Sequence, residues 1–225
     1  MRIDIHTHSS VDSQKADVLA VVAAEAGSDL SVLRYCSLGI HPWNVTHEWP
    51  TEFARLEQAV KQDRAGERKI VAIGECGLDK LRGPEMEVQM ACFKAQVGLA
   101  SQFGLPVIIH CVKAWEELLG ITELRNYGIT ESRNYGITEI RNDVPLIIHG
   151  FRGKPQLAAQ LLRQGFDLSF GEKFNEESLR LAYSQRKMWL ETDDADVSIE
   201  EVYEAASKVL SISPTEILLP GTITF

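Results

Sequence analysis

Val107-Ile108-Ile109-His110 and Leu146-Ile147-Ile148-His149 are two short aliphatic runs, each closed by a histidine. Neither alternates apolar with polar residues, as a strand buried on both faces requires, and such burial marks a parallel sheet covered by helices. Working outward, further strand-like runs fall at 3–6, 36–40, 71–74, 167–171 and 188–191, beside the two quoted runs at 107–111 and 146–150. Helical patterns fall between them, at 16–26, 52–63, 85–103, 113–119, 155–164, 175–184 and 199–210. Strand alternating with helix means crossover connections and an α/β fold. An open doubly wound sheet and a closed barrel both satisfy that alternation.

The placement of polar residues separates the two. His6 and His8 end the first run, His41 the second, and Glu75 follows Ala72-Ile73-Gly74. His110 and His149 close the two quoted runs, and Asp193 follows Trp189–Thr192. Barrel enzymes assemble their sites from the C-terminal ends of several strands at once, so this distribution favours a TIM-like (β/α) barrel. A lone histidine is most often an ordinary satisfied polar residue. Five of the six histidines at equivalent positions make coincidence the less economical account.

The chain has 225 residues, 44% of them hydrophobic and 24% charged, enough to bury one substantial core. No linker-like stretch divides it, and a single domain over 1–225 is expected. No apolar run approaches the ~18 residues that span a bilayer. The opening Met1-Arg2-Ile3-Asp4-Ile5-His6 reads as strand and leaves no room for a signal peptide. Cys36, Cys76, Cys92 and Cys111 show no CxxC spacing, which fits buried reduced thiols and a cytoplasmic protein. The net charge of −9 argues against a broad electrostatic grip on nucleic acid. Bound divalent ions would still admit a phosphodiester, with DNA ends favoured over long duplex coverage. Nothing implies a membrane or a protein partner.

One stretch departs from the alternation. GITELRNY (120–127), GITESRNY (128–135) and GITEIRND (136–143) are tandem octads, too short in period for a solenoid. They lie between a helix and a strand, which in a barrel is the face away from the site, and they read as an expanded surface loop.

His6-Thr7-His8 carries chemical information by its spacing. In an extended strand residues i and i+2 share a side, so both imidazoles can reach one cation, and Asp193 is the candidate carboxylate to join them. Glu75 can offer one oxygen to each of two ions, and His110 and His149 would complete a second centre. Mixed imidazole and carboxylate donors suit zinc, manganese, iron or cobalt and tolerate magnesium. Two such ions would lower the pKa of a shared water, and Asp193 could also accept its proton. His41, in Gly39-Ile40-His41-Pro42, and Arg152, in a glycine-flanked loop after His149, are candidate substrate contacts. Asp79 is a candidate support for a ligand or its loop. Lys113 and Lys154 read as surface residues, and His47 follows no strand.

These segments resemble the TatD family of metal-dependent deoxyribonucleases, within the amidohydrolase-like hydrolases. The resemblance rests on Ile3–His8, Gly39–Pro42, Ala72–Asp79, Pro106–His110, Ile148–Gly153 and Glu191–Asp193, in order along nearly the whole chain. It implies a TIM-like barrel, a two-metal centre (Mg²⁺, Mn²⁺ or Zn²⁺) and hydrolysis of DNA phosphodiesters, exonuclease-like. His6, His8 and Asp193 would bind one ion and His110 and His149 the other, with Glu75 bridging. The stretch from His8 to His41 is short for the family, so a barrel distorted or missing one strand–helix unit is expected. Asp193 is followed by a quick return to helix, and the chain closes without the family's usual Asn-containing end. Those departures leave open a small amide, lactone or phosphate ester as substrate, or a degenerate barrel without catalysis.

Overall fold

The structure, a computed structural model, describes residues 1–9, 15–25, 27–126 and 144–221. Eight strands form one parallel sheet in chain order: β1 (Arg2–Thr7), β2 (Val18–Glu25), β3 (Tyr35–Gly39), β4 (Ile70–Asp79), β5 (Val107–Val112), β6 (Leu146–Ile148), β7 (Phe166–Phe170) and β8 (Met188–Leu190). Among the described residues six α-helices follow β3 to β8 in turn: α1 (Trp49–Ala65), α2 (Met86–Phe103), α3 (Trp115–Asn126), α4 (Pro155–Arg163), α5 (Glu176–Ser184) and α6 (Ile199–Leu210). This is the TIM-like barrel that the sequence predicts.

Its abbreviation takes another form than a lost strand. All eight strands are present, and the expected helix at 16–26 is β2 instead. Among the described residues no helix stands between β1 and β2 or between β2 and β3. The Val-Leu-Ala-Val-Val run is apolar without a period, and alanine and leucine make it look helical. Its five residues are all buried, which a two-sided strand satisfies and a surface helix does not. The first octad also departs from a loop: Gly120–Asn126 continue α3, and the rest of the repeat, 127–143, lies outside the described residues.

Side-chain alternation, interrupted in β4 where one extra residue against β3 lies between Ile70 and Ala72, sorts the core into two layers. Ile5, Val21, Val71, Ala72, Ile108, Ile147 and Trp189 fill the barrel interior. Their neighbours, such as Val18, Ala20, Val107, Ile109, Leu146 and Ile148, belong to the larger cluster shared with the helices.

The barrel closes at a seam between β8 and β1. No full ladder joins them. A single parallel bridge links Thr7 to Asp193, with Asp193 N donating to His6 O and His8 N donating to Asp193 O, both at 3.0 Å. Beneath it, Thr192 gives its backbone N–H to Asp4 Oδ1 at 3.1 Å and its hydroxyl to Asp4 Oδ2 at 2.7 Å. Burial pushes the Asp4 carboxyl up to about 7, against the pull of those Thr192 bonds. Further down, the Tyr203 hydroxyl from α6 accepts from Ile3 N and donates to Ile3 O, standing in for the missing strand partner.

Candidate metal centre

His110 and His149 reach the barrel axis by simple alternation. Ile108 and Ile147 point inward, and the histidines two residues on share their face. His6 and Glu75 arrive by a different device. Between Asp4 and Thr7 β1 has one residue more than β2, and between Ile73 and Cys76 β4 has one more than β5. Such bulges re-aim a side chain, and here each brings in a polar residue after the apolar interior positions are filled. Two glycines let β4 do this against β5. A Cβ on Gly74 would lie 2.5 Å from Ile108 O, and one on Gly77 would lie 2.0 Å from His110 O. Their φ angles of +137° and +148° also favour glycine.

Glu75 is the hub of what results. Its Oε1 lies 2.7 Å from His110 Nδ1, 2.8 Å from His149 Nε2 and 3.1 Å from His41 Nε2. Its Oε2 faces the other way, 3.3 Å from His6 Nε2 and 3.6 Å from His8 Nε2. Asp193 Oδ1 completes that second set, 3.6 Å from the Nε2 atoms of both His6 and His8. Asp193 itself has φ +56°, a left-handed conformation that Asp tolerates better than most residues and that is fixed by the seam. All six residues expected to bind metal therefore meet at one place.

The donor chemistry fits divalent ions. His6 Nδ1 and Nε2, His149 Nδ1 and Glu191 Oε2 are buried with no hydrogen-bond partner among the described residues. Orphaned buried nitrogens facing carboxylates are costly unless something else satisfies them, and a cation shared with those carboxylates does so. Four overlapping triads could hold an ion: His6–His8–Asp193, His6–Glu75–His149, His41–Glu75–His110 and His149–Glu191–Asp193. Burial alone would raise the Glu75 pKa, but the imidazoles of His110, His149, His41 and His6 outweigh it and hold the carboxyl well below the usual range. Burial likewise opposes the charged form of His149, yet Glu191 and Glu75 raise its pKa well above the ordinary value. His8, bonded by Glu75, is raised too, against its own desolvation.

The supports extend outward. Asp79 Oδ2 lies 3.3 Å from His110 Nε2 and accepts from Trp43 Nε1 at 2.6 Å, while its Oδ1 accepts from the backbone of Leu81 and Arg82. The orienting role expected of Asp79 thus has a geometry. Two buried glutamines of α2 grip the main chain beneath. Gln96 accepts from Ile40 N at 2.7 Å and donates to Ile40 O at 3.1 Å, beside His41. Gln89 accepts from Asp79 N at 2.8 Å and donates to the carbonyls of Asp79 and Pro84. Buried Glu191, which accepts from Gly150 N, stands 3.7 Å from His149 Nδ1.

The candidate substrate contacts separate. His41 joins the cluster and stands where it could ligate as well as touch substrate. Arg152 is exposed and does not line the cleft over the cluster. His47, without a role in the sequence reading, is 78% exposed beside Glu85. Glu191, Trp43 and the two glutamines were not singled out by sequence. Glu191 was within reach, since residues 191 and 193 share a face by alternation.

An eight-stranded parallel barrel with a carboxylate–imidazole cluster at its C-terminal mouth is a barrel built around a candidate metal site. The chain belongs to the TatD-related DNase family, whose model matches residues 5–198. Among relatives, the 3'-5' ssDNA/RNA exonuclease TatD of Erwinia amylovora is 39% identical over 106 residues, covering 44% of this chain and 39% of that protein. The uncharacterized metal-dependent hydrolase YjjV of Escherichia coli is 29% identical over 140 residues, 61% of this chain and 46% of that protein. The chain thus spans less than half the length of these curated relatives in the matched stretches. The crystal structure of Escherichia coli YjjV superposes with a TM-score of 0.70 at 22% identity, covering 92% of this chain and 90% of that one. A TatD family hydrolase from Entamoeba histolytica gives 0.66 at 17%, covering 96% and 93%. At these identities the structural likeness establishes the barrel.

Proposed function

We propose that the chain is a divalent-metal-dependent hydrolase that cleaves phosphodiester bonds at DNA ends. One observation carries the metal part: the two oxygens of Glu75 are divided between two imidazole sets, His6 with His8 and His110 with His149 and His41. Glu75 would then serve both ions, His6, His8 and Asp193 would hold one, and His110 and His149 would hold the other. Ions so placed supply positive charge and lower the pKa of water. The depressed pKa of Glu75 makes it a poor proton acceptor, which leaves Asp193 for that role. Asp193 is partly open, with 23% of its side chain exposed, and its Oδ2 lies 4.0 Å from His149 Nδ1. It can take a proton from water at the mouth. The family and the named exonuclease relatives support the phosphodiester assignment.

A small amide, lactone or phosphate ester is the second reading, and Glu25, Asp193 and Asp194 around the cleft with the net charge of −9 favour its neutral members, the amide and the lactone. Elemental analysis of wild type and Glu75→Ala, with Mg²⁺- or Mn²⁺-dependent cleavage of labelled single-stranded DNA, tests both parts. Loss of at least one ion and nearly all activity in the variant is expected. Wild-type protein that holds metal and turns over esters but never DNA would overturn the phosphodiester assignment.

A further inference from the structure

Trp43 stands at the rim of the cleft and the exposed Arg82 is stacked on it from just outside, neither with a part in the metal set. Trp43 lines the cleft and is 41% exposed, although large aromatic side chains usually find cover. Its ring packs edge-on against His41 and His110, with centroids 4.7 and 5.6 Å away. The Arg82 guanidinium lies over the same indole, 3.9 Å from the ring centroid to Cζ. That arginine is one aromatic ring away from His110.

The pair is fixed from several sides. Asp79 accepts from the indole N–H through Oδ2 and from Arg82 N through Oδ1 at 3.2 Å, so one carboxylate sets both partners. Gly83, at φ +99°, lets the next turn press onto Pro42, where a Cβ would stand 2.6 Å from its carbonyl oxygen. Among the described residues, no carboxylate comes within ion-pair distance of Arg82, whereas nearby Lys80 is held by Glu117 at 2.8 Å. A guanidinium stacked on an indole has lost much of its rotamer freedom, yet its N–H edge remains free for an anion. Leu81 beside it is 66% exposed, adding apolar surface at the same rim.

We propose that Arg82, held on Trp43, is a phosphate subsite for the unreacted phosphate adjoining the scissile one in a single-stranded oligonucleotide. This rests on the phosphodiester reading above. It places the specificity for a polyanion in one prearranged cation, beside a cleft whose own rim carboxylates are Glu25, Asp193 and Asp194.

The test compares a thymidine trinucleotide with the same molecule carrying a neutral methylphosphonate at the linkage next to the cleaved one. In wild type the methylphosphonate lowers kcat/KM by about 10- to 100-fold, the worth of one charge-assisted bond, chiefly through KM. Arg82→Ala loses a similar factor on the native trinucleotide and shows less than about threefold further loss on the methylphosphonate. Arg82→Lys, which keeps charge without the planar stack, recovers part of the loss. Equal sensitivity to the methylphosphonate in wild type and Arg82→Ala overturns the subsite and leaves the phosphodiester reading intact. Should wild type cleave neither compound, that reading fails by itself, and tryptophan fluorescence titration with the native trinucleotide decides the subsite. Weaker binding by Arg82→Ala supports it, and equal binding by both proteins overturns it.

Discussion

Gln89→Leu is the substitution whose cost can be worked through from the structure. Gln89 is 1% exposed, and leucine fills nearly the same volume, so little cavity is created. What disappears is the amide's set of bonds to Asp79 N, Asp79 O, Pro84 O and, at 3.3 Å, Arg82 O. The Arg82 and Pro84 carbonyls lie towards the surface and can recover a bond from water. The two main-chain groups of buried Asp79 cannot, and each orphan costs about 1–3 kcal/mol. A total of roughly 2–6 kcal/mol follows, and at about 2–4 °C per kcal/mol for a chain of this size Tm falls by roughly 4–24 °C. Because Asp79 also orients His110, metal affinity should fall by about tenfold or more. Thermal unfolding by circular dichroism, with and without chelator, and a metal titration measure both effects. A Tm within about 2 °C of wild type would show that the loop holds itself and that the argument from orphaned groups is wrong.

Glu191→Gln removes the carboxylate beside His149, which should weaken metal binding by about 10- to 100-fold. It also lowers the raised pKa of His149 and so eases proton competition, and affinity titrations should show a larger deficit at pH 8 than at pH 6. Gly77→Ala puts a methyl group 2.0 Å from His110 O, and expression with a urea titration should find it unfolded or destabilised by more than about 4 kcal/mol. Asp167 is buried and its pKa is raised chiefly by desolvation, while its Oδ2 accepts from Trp189 Nε1 at 3.0 Å. An acid raised on folding binds more protons native than unfolded, so its contribution declines as pH climbs from the ordinary Asp range through its folded pKa. Asp167→Asn keeps an acceptor for the indole and should gain on wild type as pH rises from 4 to 7 in urea unfolding; parallel curves would refute the assignment.

Much of the site was legible because alternation along a strand is a rigid rule. Ile108 and His110, or Ile147 and His149, must share a face, and a histidine after an apolar run therefore lands at the barrel mouth. The bulges at His6 and Glu75 break that rule locally, and nothing in a single sequence marks an inserted residue in a ladder. Those two residues were found by their chemistry instead. The mistaken helix at 16–26 has a similar origin: Val18–Val22 are buried on both sides, and a run without polar residues has no period to read. Gln89 and Gln96 escaped notice because their meaning depends on which main chain they meet, and that is a tertiary fact. Arg152 is close to His149 only in sequence, whereas Arg82 meets Trp43, a residue of the cleft, from a different loop.

The seam between β8 and β1 has a consequence for how the protein comes into being. His6 and His8 leave a ribosome well before Asp193, their carboxylate partner, which follows them by seven further strands. Until Thr192 and Asp193 arrive, β1 lacks the bridge at Thr7, and His6 and His8 lack the carboxylate that would complete their candidate triad. Closing the cylinder and bringing Asp193 to His6 and His8 are therefore a single event, and an ion present at that moment would act as a keystone. Molecules matured without metal should reopen at this joint first, with amide exchange at His8 and Asp193 outpacing that of β4 and β5.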